Sequence, residues 1–164
     1  MPDDSSPINL VDNVCETIDR LSNRQGRACL ALFLATEENL KIIHAGDARV
    51  YFIDRGERTL DHSIAQEYAN NGIISQDMVQ NHPLRNRVTR YLSSQTGSRS
   101  LVFWDMPRLA FEERVLLCTD GFWRCFDDQE IFDVKCEASA RNAFDKVSSQ
   151  PDSDNYSILL LKSS

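Results

Sequence analysis

The spacing of apolar positions changes along the first half of the chain and predicts one helix followed by strands. From Ile8 to Ser22, apolar residues recur every three or four positions, which is typical of one face of a helix. Residues 28–35, 40–44 and 49–53 are apolar or β-branched runs separated by turn-forming residues. These three runs predict an antiparallel meander, and the first run, apolar on both faces, predicts a sheet covered on both sides.

The second half repeats this alternation. Residues 62–92 are predicted to be helical in pieces, the last of which begins at Pro83. Strands are predicted at residues 101–104, 113–118 and 155–162, and helices at 127–134 and 137–147. This order predicts an α+β fold, a layered αββα sandwich of antiparallel sheets flanked by helices. Residues 1–7 are polar with two prolines and are predicted to be a flexible N-terminus, with residues 8–164 as one domain.

Composition narrows the class of protein. The 164 residues are 41% hydrophobic and 26% charged, which is typical of a globular domain with a single core. The net charge of −7 argues against a nucleic-acid or anionic-membrane partner. No apolar run approaches the ~20 residues that span a bilayer, and no signal peptide is recognisable. Five scattered cysteines favour free thiols over disulfides or zinc ligands and predict a cytoplasmic location.

Three aspartates lie where predicted strands end. Asp47 lies in a bend between two strands, Asp120 precedes Gly121 at the end of a strand, and Asp154 precedes Asn155 before the last strand. Carboxylates fixed at strand ends can converge on one point, and such oxygen ligands favour Mg²⁺ or Mn²⁺. Aspartate is also a common turn former through its own side-chain hydrogen bond, so for each residue taken singly a turn is the favoured interpretation and metal binding is the minority one.

Five segments, taken together and in order, resemble the metal-dependent PPM-type (type 2C) protein serine/threonine phosphatases, especially the compact bacterial members. They are residues 43–51, 59–63, 82–90, 116–123 and 153–158. The resemblance implies two stacked antiparallel sheets with a binuclear Mg²⁺ or Mn²⁺ centre at the sheet edges. It implies that Asp120 and Asp154 are metal ligands and that Asp47 helps to hold a weaker third metal. Metal-activated water would then hydrolyse phosphoserine or phosphothreonine.

The resemblance implies no catalytic side chain beyond the metal ligands. Candidates for substrate contact or structural support are Arg49, His62, Arg85 and Asn86. We expect Arg49 to form a salt bridge and Asp61 to cap a helix. His62 is a general acid by residue type, but the proton-donating histidine of the family belongs to another motif.

Two departures from the family pattern bear on activity. The Asp-Gly-His-Gly-type motif, whose aspartate bridges both metals, does not occur in this sequence, which predicts an N-terminally truncated, partial phosphatase domain. Arg124 stands where the family often has another aspartate, and a cation pointing at the metal shell would oppose metal binding. We therefore expect impaired activity, and the loss of outer strands predicts self-association through an exposed sheet edge.

Three interpretations of function stay open. The first is a signalling hydrolase that acts on a phosphorylated protein and opposes a serine/threonine kinase. The second is a catalytically inactive phosphatase-like domain that serves as a partner-binding or regulatory module. The third is an ordinary α+β interaction domain in which the aspartates only form turns.

Overall fold

The computed structural model describes residues 12–17, 20, 26–35, 40–93, 95, 101–150 and 154–163. Its strands are β1 (Leu30–Ala35), β2 (Leu40–Ala45), β3 (Arg49–Phe52), β4 (Glu57–Arg58), β5 (Val102–Met106), β6 (Arg114–Cys118) and β7 (Ile158–Lys162). Its helices are α1 (residues 12–17), α2 (Ile64–Asn70), α3 (Asp120–Trp123), α4 (Asp128–Phe132) and α5 (Glu137–Ser148), with a 3₁₀ turn at Gln76–Met78.

The strands form two antiparallel sheets. One sheet has the order β1-β2-β5 and the other has the order β4-β3-β6-β7. Helices α3, α4 and α5 contribute to a core on the outer face of the second sheet, and Cys15 of α1 packs on the first sheet. The predicted α+β sandwich of antiparallel sheets flanked by helices is thus confirmed. Strand β1 also packs on both faces, as predicted, with Leu32 and Phe33 in different core clusters.

The predicted meander is wrong at its second turn. Strands β2 and β3 belong to different sheets, so the chain crosses between the sheets at residues 46–48. The crossing lets Ile42 and Val50 pack in one cluster between the sheets, where both are fully buried. Gly46 makes the crossing possible, because its φ is +97° and a Cβ there would clash with Cys29.

The helix predicted from Pro83 to residue 92 is also wrong. This segment consists of turns and forms isolated bridges from Val88 to Ser63 and from Leu92 to Ala28. Its backbone is bonded to the residue that precedes the α2 cap, with Thr89 N–H donating to His62 O at 2.8 Å, and its internal bond from Arg87 N–H to Leu84 O at 3.1 Å is that of a turn. Long-range backbone pairing has overridden the local helical spacing.

Some predictions fall partly or wholly outside the described residues. The flexible N-terminus at residues 1–7 is one of them, as is most of the helix predicted at residues 8–22, of which positions 12–17 and 20 are helical. Within the described ranges, no helix combines the length and the apolar character needed to cross a membrane.

Candidate functional site

Two of the three predicted ligands meet at one corner of the second sheet. Asp120 follows β6, Asp154 precedes β7, and these strands pair with Cys118 opposite Ile158. The pairing continues beyond the strands, because Thr119 N–H donates to Ser157 O at 3.1 Å and Ser157 N–H donates to Thr119 Oγ1 at 2.9 Å. The strand ends, and with them the two carboxylates, are therefore held side by side.

Gly121 allows the close approach of these two strand ends. A Cβ at this position would clash with the carbonyl oxygen of Asn155 and would lie 3.2 Å from the carbonyl oxygen of Asp154. Glycine is thus required by the packing of two backbones, which a turn alone would not demand. Its position directly after Asp120 couples this packing to the placement of the carboxylates.

Arg124 lies close to both carboxylates. Its Nη1 atom is 3.9 Å from Asp120 Oδ2 and 3.9 Å from Asp154 Oδ2. Its backbone N–H donates to Asp120 O at 3.1 Å, one helical turn earlier, which places the side chain on the same side as Asp120. The guanidinium thus points at the predicted metal ligands, which is the geometry that we expected to oppose metal binding.

Asp47 lies near this corner without joining the pair in a three-ligand cluster. Its carbonyl oxygen accepts a hydrogen bond of 2.8 Å from Trp123 Nε1, which ties the crossing between the sheets to α3. Burial raises the pKa of Asp47, and the negative charge of Asp120 adds to this increase, while a hydrogen bond with Cys29 opposes it. Over the described part of the chain, no three His, Cys, Asp or Glu side chains are grouped to share one ion.

Arg49 is a buried structural residue. Its Nε and Nη2 atoms donate to the two carboxylate oxygens of Asp61 at 2.7 Å each, and both side chains are only 1% exposed. Burial alone would lower the pKa of Arg49, but the hydrogen bonds and charge of Asp61 outweigh it and raise that pKa. The guanidinium also lies over the ring of Trp123, 3.5 Å from its centroid. The predicted salt bridge of Arg49 is present, and through Trp123 it supports α3.

The predicted helix-capping role of Asp61 is wrong. Ser63 caps α2 instead, and its Oγ accepts from Gln66 N–H at 3.2 Å. Burying a guanidinium without a carboxylate partner costs free energy of folding. The Asp61 side chain therefore pairs with Arg49 and is not available to cap α2, although its local spacing predicts a cap.

His62 and His44 stabilise the crossing between the sheets. Their ring centroids are 4.6 Å apart, His62 Nδ1 accepts from Gly46 N–H at 3.2 Å, and His44 Nε2 donates to Ala48 O at 2.7 Å. Burial lowers the pKa of His44 to about 4, with the neighbouring His62 contributing. Burial also lowers the pKa of His62. These contacts favour a structural role for His62, on the turn that carries Asp47.

Arg85 and Arg124 line a small polar cavity beside the carboxylate pair. The cavity has a volume of about 180 Å³ and is also lined by Gln80, Asn81 and Gln150. The Nε atom of Arg85 is buried, with no hydrogen-bond partner among the described residues. Asn86 lies apart from this cavity and lines another one. The sequence did not predict that Gln80, Asn81 and Gln150 line this cavity, because no local motif marks these residues.

The geometry passes a first test for a divalent cation. Two carboxylates from adjacent strand ends converge on one positive charge, that of Arg124, so this corner already attracts a cation. Carboxylate oxygens are the ligands that Mg²⁺ and Mn²⁺ prefer. The described residues form no group of three or more possible ligands, so a cation bound here would take its further ligands from water or from groups outside them.

Comparisons with known proteins point to one class of enzyme. No protein-family model matches the chain. The serine/threonine phosphatase stp of Listeria welshimeri is 29% identical over 150 residues, which are 85% of this chain and 58% of that protein. The serine/threonine protein phosphatase PstP of Mycobacterium tuberculosis is 28% identical over 108 residues, 64% of this chain and 20% of that protein. The chain thus spans little more than half the length of the first of these relatives.

Solved structures share the fold. The Mycobacterium tuberculosis phosphatase PstP/Ppp has a TM-score of 0.78 at 20% identity, over 94% of this chain and 68% of that one. The PPM Ser-Thr phosphatase MsPP of Mycobacterium smegmatis, in complex with cacodylate, has a TM-score of 0.75 at 20% identity, over 94% and 71%. The catalytic domain of PstP with two manganese ions has a TM-score of 0.74 at 17% identity, over 99% and 76%.

Proposed function

We propose that this chain, which resembles the PPM-type phosphatases in sequence and shares their fold, acts as part of a metal-dependent protein serine/threonine phosphatase. The observation that carries the proposal is the meeting of Asp120 and Asp154 at one corner of the second sheet. Relatives named as serine/threonine phosphatases match up to 85% of the chain, which supports the same chemistry.

Asp120 and Asp154 would hold Mg²⁺ or Mn²⁺, and Asp47 would contribute to a weaker third site. The bound metals would supply activated water and stabilise the charge that develops on the phosphoryl group. The manganese-bound structure of PstP supports this choice of metal. The chain itself positions the carboxylates. Thr119 and Gly121 hold the ends of β6 and β7 together, and the backbone of Asp47 is hydrogen-bonded to Trp123.

The polar cavity beside the pair is our proposed site for the substrate phosphate. Arg85 and Arg124 present guanidinium groups, which bind phosphate oxygens well because their donors match the spacing of those oxygens. The substrate would be a protein that a serine/threonine kinase has phosphorylated. By opposing that kinase, the chain would have a role in signalling. The five free thiols are typical of a reducing compartment and support a cytoplasmic location.

One observation favours a second candidate function, a catalytically inactive phosphatase-like module that binds or regulates partners. Arg124 already lies 3.9 Å from both Asp120 and Asp154, and the described side chains form no three-ligand group. Under this alternative, the fold is retained for its surfaces and the aspartates are paired internally.

A phosphatase assay separates the two candidates. We expect the wild-type chain to hydrolyse a phosphothreonine peptide in the presence of Mn²⁺, and Asp120→Asn to lose about 100-fold or more of that activity, in the range of a lost electrostatic catalytic group. Asp133→Asn is a matched control, because it removes an exposed carboxylate from another part of the surface, where Lys135 is its partner. A folded wild-type chain without turnover at any Mn²⁺ concentration would favour the inactive module.

A further inference from the structure

The guanidinium of Arg124 lies close to both predicted metal ligands. It approaches both carboxylates to 3.9 Å through the same nitrogen, Nη1, so one positive charge faces two negative ones. A divalent ion bound to the same pair would have to lie in direct contact with these oxygens. The ion and the guanidinium would then be a few ångströms apart and would repel each other.

The backbone directs the Arg124 side chain towards the two carboxylates. Arg124 follows Asp120 by four residues on the turn of α3, with its N–H bonded to Asp120 O. Side chains on a helix lean towards its N-terminus, so an arginine at this position is directed back towards Asp120. The pairing of β6 with β7 then brings Asp154 within reach of the same guanidinium.

The Arg124 side chain is held only weakly near the two carboxylates. Its side chain is 31% exposed, and both salt bridges are longer than a hydrogen bond, so solvent weakens them. The cavity of about 180 Å³ beside it is polar and is lined by Asn81 and Gln150, whose amide oxygens can accept guanidinium hydrogen bonds.

We propose that Arg124 is an internal counter-cation of Asp120 and Asp154, which lowers their affinity for divalent ions, and that metal binding displaces its side chain towards the neighbouring cavity. The inference rests on the proposed function only in taking these two aspartates as the metal-binding carboxylates. It adds a competitor within the chain that sets how much metal the site needs.

The test is a Mn²⁺ titration followed by calorimetry and by the electron paramagnetic resonance signal of free Mn²⁺. We expect Arg124→Gln to bind Mn²⁺ about tenfold more tightly than the wild type, because the ion no longer has to displace the guanidinium and a repulsive charge is removed as well. Arg141→Gln is the matched control. It removes an equally charged side chain from an exposed pair with Glu137 on α5, and we expect the Kd of the wild type.

A second variant assigns any gain to this site. Adding Asp120→Asn to Arg124→Gln should abolish the tighter binding, with circular dichroism used to verify that each variant is folded. Equal Kd values for the wild type and Arg124→Gln would overturn the inference, and so would the absence of Mn²⁺ binding from both. Tighter binding by Arg124→Gln without phosphatase turnover would support the inference and reject the proposed function. Turnover by the wild type with an unchanged Kd in Arg124→Gln would do the reverse.

Discussion

Replacing Asp61 by alanine would leave the buried guanidinium of Arg49 without its carboxylate. The structure gives two hydrogen bonds of 2.7 Å between these side chains, both 1% exposed. Removing one partner of a buried ion pair typically costs 3–5 kcal/mol, since the other charge stays desolvated. Arg49 keeps a bond to Tyr51 at 3.0 Å and a longer one to Asp128 at 3.5 Å, so we expect the lower end, about 3 kcal/mol.

Urea unfolding followed by tryptophan fluorescence measures this loss. A decrease of about 3 kcal/mol is a large part of the ~5–15 kcal/mol that stabilises a domain, and corresponds to a melting temperature lower by roughly 6–12 °C. Glu137→Ala is the control, because it breaks an exposed pair with Arg141 and should cost less than about 1 kcal/mol. The double variant Arg49→Met/Asp61→Leu should recover part of the loss. A loss below about 1 kcal/mol in Asp61→Ala would refute the reasoning.

Three further predictions follow from other contacts. Gly121→Ala should separate the ends of β6 and β7 by clashing with Asn155, which lowers the melting temperature and the Mn²⁺ affinity together in a parallel melt and titration. Burial lowers the pKa of His44 to about 4, so as the pH falls the histidine is protonated in the unfolded chain before it is protonated in the folded one. The free energy of unfolding should therefore decrease as the pH is lowered from 6.5 to 4, and it should decrease less steeply in His44→Gln. Leu159 is 52% exposed on the edge strand β7, and Leu159→Lys should reduce concentration-dependent association in size-exclusion chromatography if that edge pairs.

The strand ends of the site could be predicted because their signals are local. An apolar run followed by Asp120 and Gly121, or preceded by Asp154, marks where a strand stops or starts. Their meeting at one corner follows once β6 and β7 are paired. The contact of Arg124 was foreseeable in the same way, because it depends on a spacing of four residues from Asp120.

The errors have a common physical origin in long-range contacts. Nothing local distinguishes a hairpin between β2 and β3 from a crossing between two sheets, and the packing of Val50 between the sheets decides it. Asp61 has the spacing of a helix cap, but its carboxylate accepts hydrogen bonds from the buried Arg49, which lies twelve residues earlier in the chain on β3. The segment after Pro83 has helical spacing, yet its backbone bonds to residues near α2.

The most direct test of the central claim is the anomalous scattering of manganese from crystals of the chain grown with saturating Mn²⁺. The account predicts an anomalous peak in contact with the carboxylates of Asp120 and Asp154, with the Arg124 guanidinium moved away from both of them. Crystals that show Arg124 still close to both carboxylates, with no manganese peak at this corner, would contradict it.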